Sequence, residues 1–572
     1  MSGPGDRAPK NQKPVEPPLS HSAGGHGVRP MKADWDATLH PGSWSSAFSH
    51  MPHARESGDL RGASQHARSK ASDRQGREGD MPQSAQYASE ESDASVVPEK
   101  PAKTRVTPVE QVEGRVAAKG KSAARNALPA QDGAGALTYL QWIGKRAKER
   151  PEEKFTNVLG HIKAPLLKEA YMRLRKEAAP GVDGVTWEDY GERLDERLLD
   201  LQDRVHRGSY HPQPVRRVHI PKGDGRTRPL GITAIEDKIV QQAARMVLEP
   251  IYEAMFVGFS YGFRPKRSQH RALDALAASI ARKVSCVLDA DIRAFFDTIS
   301  WEWMQKFIEH RIGDTRMVRL LMKWVRSGVM EDGELHETEE GTPQGATISP
   351  LLSNIYLHYV IDLWVCQWRE RHAHGEVYIV RYADDLVMCF QREQDARAMR
   401  AAMAERLAKF GLELHPEKTR VLEFGRFARQ DRGRRGEGKP ETFDFLGFTH
   451  IAGKSRHGRF QLHRHTSRKK RRAKLAAIKE ECRRRQHWDV REQHDWISSV
   501  LRGHYRYYAV PTNSFALRSF RKAVRRIWHG SLQRRSQRAD WDRAKMQRFE
   551  KRFPLMKPKI LHLWPEERFA AR

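Results

Sequence analysis

Apolar positions along this chain fall into three regimes. Across residues 1 to about 130 they are sparse and keep neither a two-residue nor a 3.6-residue period; Ser, Gly, Pro, Ala, Gln and charged residues dominate. Such a stretch cannot bury enough apolar surface to offset the entropy of ordering, which predicts a disordered, low-complexity tail. From about residue 137 the pattern turns helical, in "ALTYLQWIGKRAKER" and "APLLKEAYMRLRKEA", before the turn "APGVDGVT". Helices then alternate with short strand-like runs up to residue 450: "VRRVHIPK" before a "GDGR" turn, "VSCVLDADI", "YIVRYADDLVMCF" and "TFDFLGFTHI". Strands set among longer helices predict an α+β domain over 137–450 with a mainly antiparallel sheet. From 451 to 572 basic and apolar residues interleave at three- and four-residue spacing, as in "TSRKKRRAKLAAIKEECRRR" and "ALRSFRKAVRRIWHGSLQRRSQR", predicting helices with one packed and one cationic face.

Charge sharpens this division. The 572-residue chain carries a formal charge of +30, and residues 451–572 hold 34 Lys+Arg against 10 Asp+Glu, so +24 of the excess lies there. Cations at that density repel one another until phosphates neutralise them, which points to nucleic acid as the partner. A membrane is disfavoured: no run of about 18 apolar residues is present. The N-terminus, "MSGPGDRAPKNQKPVEPP", lacks the apolar core of a signal peptide, and a cytoplasmic protein is expected. Cys286, Cys366, Cys389 and Cys482 show no paired spacing, which argues against both a disulfide framework and a zinc site.

Candidate chemistry sits where the apolar pattern is broken. Asp384 and Asp385 occupy the tip of an otherwise hydrophobic hairpin, between Tyr378, Ile379 and Val380 on one side and Leu386, Val387 and Met388 on the other. Asp is depleted in strands, and ionised carboxylates beside a core are costly unless compensated. About ninety residues upstream, "CVLDADIRAFFDTI" runs from a strand into Asp289 and Asp291 and then turns helical. If that strand lies beside the hairpin, Asp291 meets Asp384. Clustered carboxylates repel, and magnesium relieves the repulsion by accepting hard oxygen ligands. Two such ions about 3.5–4 Å apart activate a 3′-hydroxyl and stabilise leaving pyrophosphate, the chemistry of nucleotidyl transfer.

The neighbouring text is similar to that of bacterial group II intron reverse transcriptases/maturases, from about residue 137 to the end. "RYADD" at 381–385 resembles the signature hairpin of that family, and "LDADIRAFFD" at 288–297 its first metal-binding motif. The resemblance implies a right-hand polymerase with fingers and palm, followed by a basic helical thumb/maturase domain. It implies Asp291, Asp384 and Asp385 as catalytic acids and ligands of two Mg2+ ions, for which Mn2+ is a candidate substitute, with the Ile292 carbonyl as a further oxygen ligand. Asp289 stays ambiguous between a supporting and a solvated group. In "GTPQGATISPLLSNIYLHYV", 341–360, Gln344 would face the nucleotide; Ala346 and Thr347 depart from the usual Gly and β-branched apolar residue. In "HIPKGDGRTRPLGITAIEDKIVQQA", 219–243, Lys222 and Arg228 would contact the triphosphate. Phe296 is the candidate sugar gate, Tyr382 would lie near the primer end, and Lys418 is a candidate general acid for pyrophosphate. Phe443, Phe445 and Phe448 read as core or primer-backing residues, and "VLRGHYRYYAV" as the thumb's line.

The implied activity is an RNA-directed DNA polymerase that binds its group II intron RNA to promote splicing and retromobility. Its implied partners are that RNA, an RNA template, a DNA primer, dNTPs and target DNA. No HNH endonuclease pattern is read in the sequence, so the primer would come from elsewhere. The alternatives are a domesticated or defence-type reverse transcriptase, or a splicing-only RNA-binding maturase.

Overall fold

The computed structural model describes residues 132–221, 227–331, 334–336, 340–535 and 542–570; the expected disordered tail and Lys222 lie outside them. Strands β1 (Val215–Pro221), β2 (Thr227–Ile232), β3 (Cys286–Ala290), β4 (Val329–Glu331), β5 (Glu334–His336), β6 (Val377–Tyr382), β7 (Asp385–Phe390), β8 (Arg420–Glu423), β9 (Thr442–Phe445), β10 (Phe448–Lys454) and β11 (Phe460–Thr466) are spread among helices. They pair as β2-β1-β4-β5, β6-β7-β3-β8 and β11-β10-β9. All neighbours are antiparallel except β1 and β4. The mixed helix-and-sheet reading therefore holds. No helix among the described residues is long and apolar enough to cross a membrane.

The β6-β7-β3-β8 sheet carries the candidate site. β3 and β7 form its centre and are buried along nearly their whole length, which is why they read as continuous apolar runs. The helix Gln269–Ile280, capped by Ser268, packs Ala272, Leu273, Leu276 and Ile280 against Val287, Val380, Val387 and Leu422. Phe443, Phe445 and Phe448 complete that core and are buried, so of the two roles read for them the core role holds.

The sheet region runs on past residue 450. β10 extends to Lys454 and β11 to Thr466, so the basic helices begin only at Arg468. Alternation in "FQLHRHT" is masked by its polar residues, which hid the strand. The β9–β10 turn holds Leu446 at φ 47° and Gly447 at φ 75°, the left-handed pair a tight hairpin needs. Tyr507 Oη donates to the Leu446 carbonyl at 2.9 Å and ties the C-terminal helices to this turn. Those helices, Arg468–Arg484, Val490–Tyr508 and Ser514–Gln533, enclose a second core around Trp496, Leu501, Phe520 and Trp528. The four cysteines are buried and unpaired.

Candidate active site

β6 and β7 meet in a two-residue turn, Ala383–Asp384, closed by the Tyr382–Asp385 pair. Ala383 takes φ 55°, a left-handed conformation that costs a non-glycine residue about 1–2 kcal/mol. β3 lies antiparallel to β7 with Ala290 opposite Leu386, which brings the next residue, Asp291, to the same end of the sheet as Asp384 and Asp385. The expected meeting of the upstream strand with the hairpin is thus realised in the register.

The electrostatics agree. Loss of water around Asp385, then the charges of Asp384, Asp291 and Asp289, push its pKa up to about 7, with Lys418 pulling the other way. Asp385 is open to solvent on its outer side, and the three neighbouring carboxylates crowd it on the other. Burial raises Asp289 to about 6 against the pull of Arg420, while Asp291 and Asp444 add to the rise. An Arg420 Nη lies 3.9 Å from Asp289, which marks this residue as paired behind the cluster.

Lys418 was expected near pyrophosphate. Its Nζ stands 2.5 Å from Asp291 Oδ2, within the carboxylate cluster, to which it supplies positive charge. Asp291 is also pinned through its backbone: its carbonyl accepts from His415 N–H at 2.8 Å. Ile292 bridges Leu414, so its peptide is fixed beside Asp291. Among the described residues no three Asp, Glu, His or Cys side chains close into a ready metal cage. The donors nonetheless fit magnesium, which prefers one or two carboxylates and fills its octahedron with waters and substrate phosphates. Mutual repulsion at Asp385 is the deficit that a divalent ion would relieve.

A cleft of about 330 Å³ is lined among others by Phe296, Gln344, Arg217 and Pro229. The chain turns there as a short 3-10 helix, Phe295–Asp297, rather than the helix expected after Asp291. Phe295 is buried against Tyr356, while Phe296 is half-buried and faces the cleft. The loop at 341–345 is pressed onto its neighbours: Thr342 N–H donates to the Phe296 carbonyl at 2.8 Å and Gly231 N–H to the Gln344 carbonyl at 2.5 Å. Gly345, at φ 108°, allows this contact, since a Cβ there would stand 2.4 Å from the Gly231 carbonyl. Arg228 pairs with Ile220 in the β1–β2 hairpin, but its side chain lies outside the described residues. Tyr382 is half-buried beside the hairpin turn, its ring 6.3 Å from that of Phe263.

Sequence reading passed over the groups beneath the turn. Arg381, Asp362, Asn354 and Ser260 are all buried and joined by hydrogen bonds. A charged residue inside an apolar strand was the only available signal.

Residues 220–450 match the protein family described as reverse transcriptase (RNA-dependent DNA polymerase). This segment is a reverse transcriptase domain. It implies a right-hand polymerase fold, into which the sheet and its carboxylate end fit. The chain is 43% identical to Protein YkfC of Escherichia coli K12 over 183 residues, 31% of this chain and 48% of that protein. It is 35% identical to Group II intron-encoded protein LtrA of Lactococcus lactis subsp. cremoris over 233 residues, 40% of this chain and 39% of the relative. It is 26% identical to Nuclear intron maturase 2, mitochondrial, of Arabidopsis thaliana over 155 residues, 26% of this chain and 20% of the relative. The chain spans less than half the length of each of these curated relatives. The match to LtrA bears out the resemblance to group II intron-encoded proteins.

Proposed function

We propose that the chain is an RNA-directed DNA polymerase that also binds a group II intron RNA, promoting its splicing and mobility. The observation that carries this reading is the register of β3 on β7, which sets Asp291 at the same end of the sheet as Asp384 and Asp385, with Phe296, five residues further on, lining a cleft together with Gln344. Asp291 and Asp384, with Asp385, would hold two magnesium ions, which on binding would activate the primer 3′-hydroxyl and neutralise the triphosphate. Lys418, already paired with Asp291, would exchange its partner for phosphate oxygens as the ions enter. Phe296, turned to the cleft, would pack under the sugar and exclude a 2′-hydroxyl. Gln344 would contact the incoming nucleotide, Lys222 and Arg228 the phosphates, and Tyr382 the primer end. The helices from Arg468 onward form the thumb, their exposed cations facing the RNA.

Extension of a DNA primer on an RNA template with magnesium tests the reading. Asp384→Ala should lower the rate by about 10³-fold or more while leaving RNA binding intact, because the charge it removes serves the transition state and not RNA affinity. Undiminished extension by that variant would refute the assignment. Splicing help without any extension by the unaltered chain would favour the splicing-only reading.

A further inference from the structure

The guanidinium of Arg381 lies directly beneath the Asp384–Asp385 turn, its side chain 1% exposed. All five of its N–H groups are used. Nε and Nη2 donate to the two oxygens of Asp362 at 2.7 and 2.6 Å, a bidentate pair. Nη2 also donates to Ser260 Oγ at 2.7 Å, and Nη1 to Asn354 Oδ1 at 3.1 Å. The remaining bond runs from Nη1 to the Ala383 carbonyl at 3.0 Å, the peptide group that joins Ala383 to Asp384.

Two of these partners come from unusual pieces of backbone. Asp362 ends a π-helical turn, His358–Asp362, a widened turn found often at functional sites. Ala383 is in the left-handed region. Ser260 belongs to a loop that touches the hairpin backbone: Tyr261 N–H donates to the Arg381 carbonyl at 2.8 Å, and Arg381 N–H to the Phe259 carbonyl at 2.9 Å. A Cβ on Gly262 would stand 2.2 Å from Ala383 N, so this loop abuts the turn, and Asn354 Nδ2 holds the Gly262 carbonyl at 2.8 Å. Strained conformations persist where surrounding structure over-determines them. Here that structure converges on one guanidinium.

A buried ion pair serving stability alone would be satisfied by Asp362. Such pairs are at best weakly stabilising against an apolar replacement, so a fully bonded one directly under a carboxylate turn calls for another role. We propose that Arg381, braced by Asp362, Asn354 and Ser260, is a positioning residue that fixes Asp384 and Asp385 at the height where they take up the divalent ions of nucleotide addition. The inference rests on the polymerase reading above. Lys cannot replace Arg here, because a single ammonium can reach Asp362 but cannot span Ser260, Asn354 and the Ala383 carbonyl at once.

The test compares the full chain with Arg381→Lys, Asn354→Ala and Ser260→Ala. The last two leave the Arg381–Asp362 pair intact and serve if Arg381→Lys fails to fold. Steady-state extension, thermal unfolding and Mn2+ titration of the primer–template complex by electron paramagnetic resonance are recorded on each. For Arg381→Lys the expectation is a fall in kcat of about tenfold or more, with KM for dNTP within about twofold and a weaker Mn2+ affinity. Asn354→Ala should show a smaller loss of the same form, and Ser260→Ala the smallest, at a nearly unchanged melting temperature. Folded variants that keep the kcat and Mn2+ affinity of the unaltered chain overturn the proposal, as does a kcat that falls only in step with the unfolded fraction. If the unaltered chain extends no primer, the polymerase reading itself fails and takes this inference with it.

Discussion

The sheet end and the C-terminal helices handle charge in opposite ways. In the sheet region, cations are taken out of water and matched one by one: Arg381 on β6 with Asp362, Arg464 on β11 with Asp274. In the helix Arg468–Arg484, by contrast, Arg468, Lys469, Arg472, Lys474 and Lys479 are all exposed, and only Ile478, Glu481 and Cys482 of that helix are buried. Buried ions have to be paired because each costs several kcal/mol to desolvate. Exposed ones cost the fold little and remain available to an outside polyanion. The same residue type is thus structural in one region and a contact surface in the other, and the two should respond differently to its removal.

The largest effect is expected where a buried carboxylate loses its arginine. Arg464 on β11 bonds Asp274 on the helix Gln269–Ile280 at 2.7 Å, both side chains being 3% exposed. Arg464→Met should destabilise this joint by about 3–5 kcal/mol, read as a shift in the urea midpoint, because the buried Asp274 loses its guanidinium partner. The double variant Arg464→Met/Asp274→Leu should recover most of that loss. A single variant costing under about 1 kcal/mol would show that the pair is not the constraint its burial suggests.

Next comes the exposed face. Replacing Arg468, Lys469, Arg472 and Lys474 together by Gln should leave the urea midpoint unchanged, yet weaken RNA binding by about 10²-fold at ~0.15 M salt. The slope of log affinity against log salt should flatten by roughly 3, close to one unit for each phosphate that the protein no longer neutralises. If stability falls and affinity does not, the contrast between the two regions has been drawn the wrong way round.

The same contrast explains what the sequence made legible. Asp384, Asp385 and Asp291 stood out because carboxylates interrupt apolar strands, and a violated pattern signals that something compensates it. Phe443, Phe445 and Phe448 follow ordinary alternation and are core. The pairing of Lys418 with Asp291 joins residues 127 positions apart, which no local pattern encodes. Arg381 was read only as a letter of "RYADD", since an arginine in a strand ordinarily points outward and its acceptors lie 19, 27 and 121 residues away. The π-helical turn that delivers Asp362 has no sequence signature of its own. β4 and β5, three residues each, are too short for periodicity to detect, so the parallel β1–β4 contact was not foreseen.

The smallest effect concerns histidines that both regions bury. His450 on β10 stacks on Phe443 at 4.8 Å, and burial, then the charge of Arg464, holds its pKa down at about 3. His504, in the helix Val490–Tyr508, stacks on Phe520 at 3.7 Å and is likewise held at about 3, by burial and then Lys474. A depressed histidine pKa means that the folded ring stays neutral while the unfolded one binds a proton below about 6.5. Stability from each ring is therefore intact above that pH and declines as pH falls toward 3, by about 1.4 kcal/mol at pH ~5.5. His450→Phe should match the unaltered chain near pH 8 within ~1 kcal/mol and exceed it near pH 5.5 by about that amount. His504→Phe should do the same for the helical core. If the two cores unfold as separate units, each variant flattens the acid dependence of one transition only, which differential scanning calorimetry between pH ~5 and ~8 would resolve. Parallel acid curves for variant and unaltered chain would mean that these rings are protonated in the fold, and that the sheet region tolerates a buried charge without the pairing seen at Arg381 and Arg464.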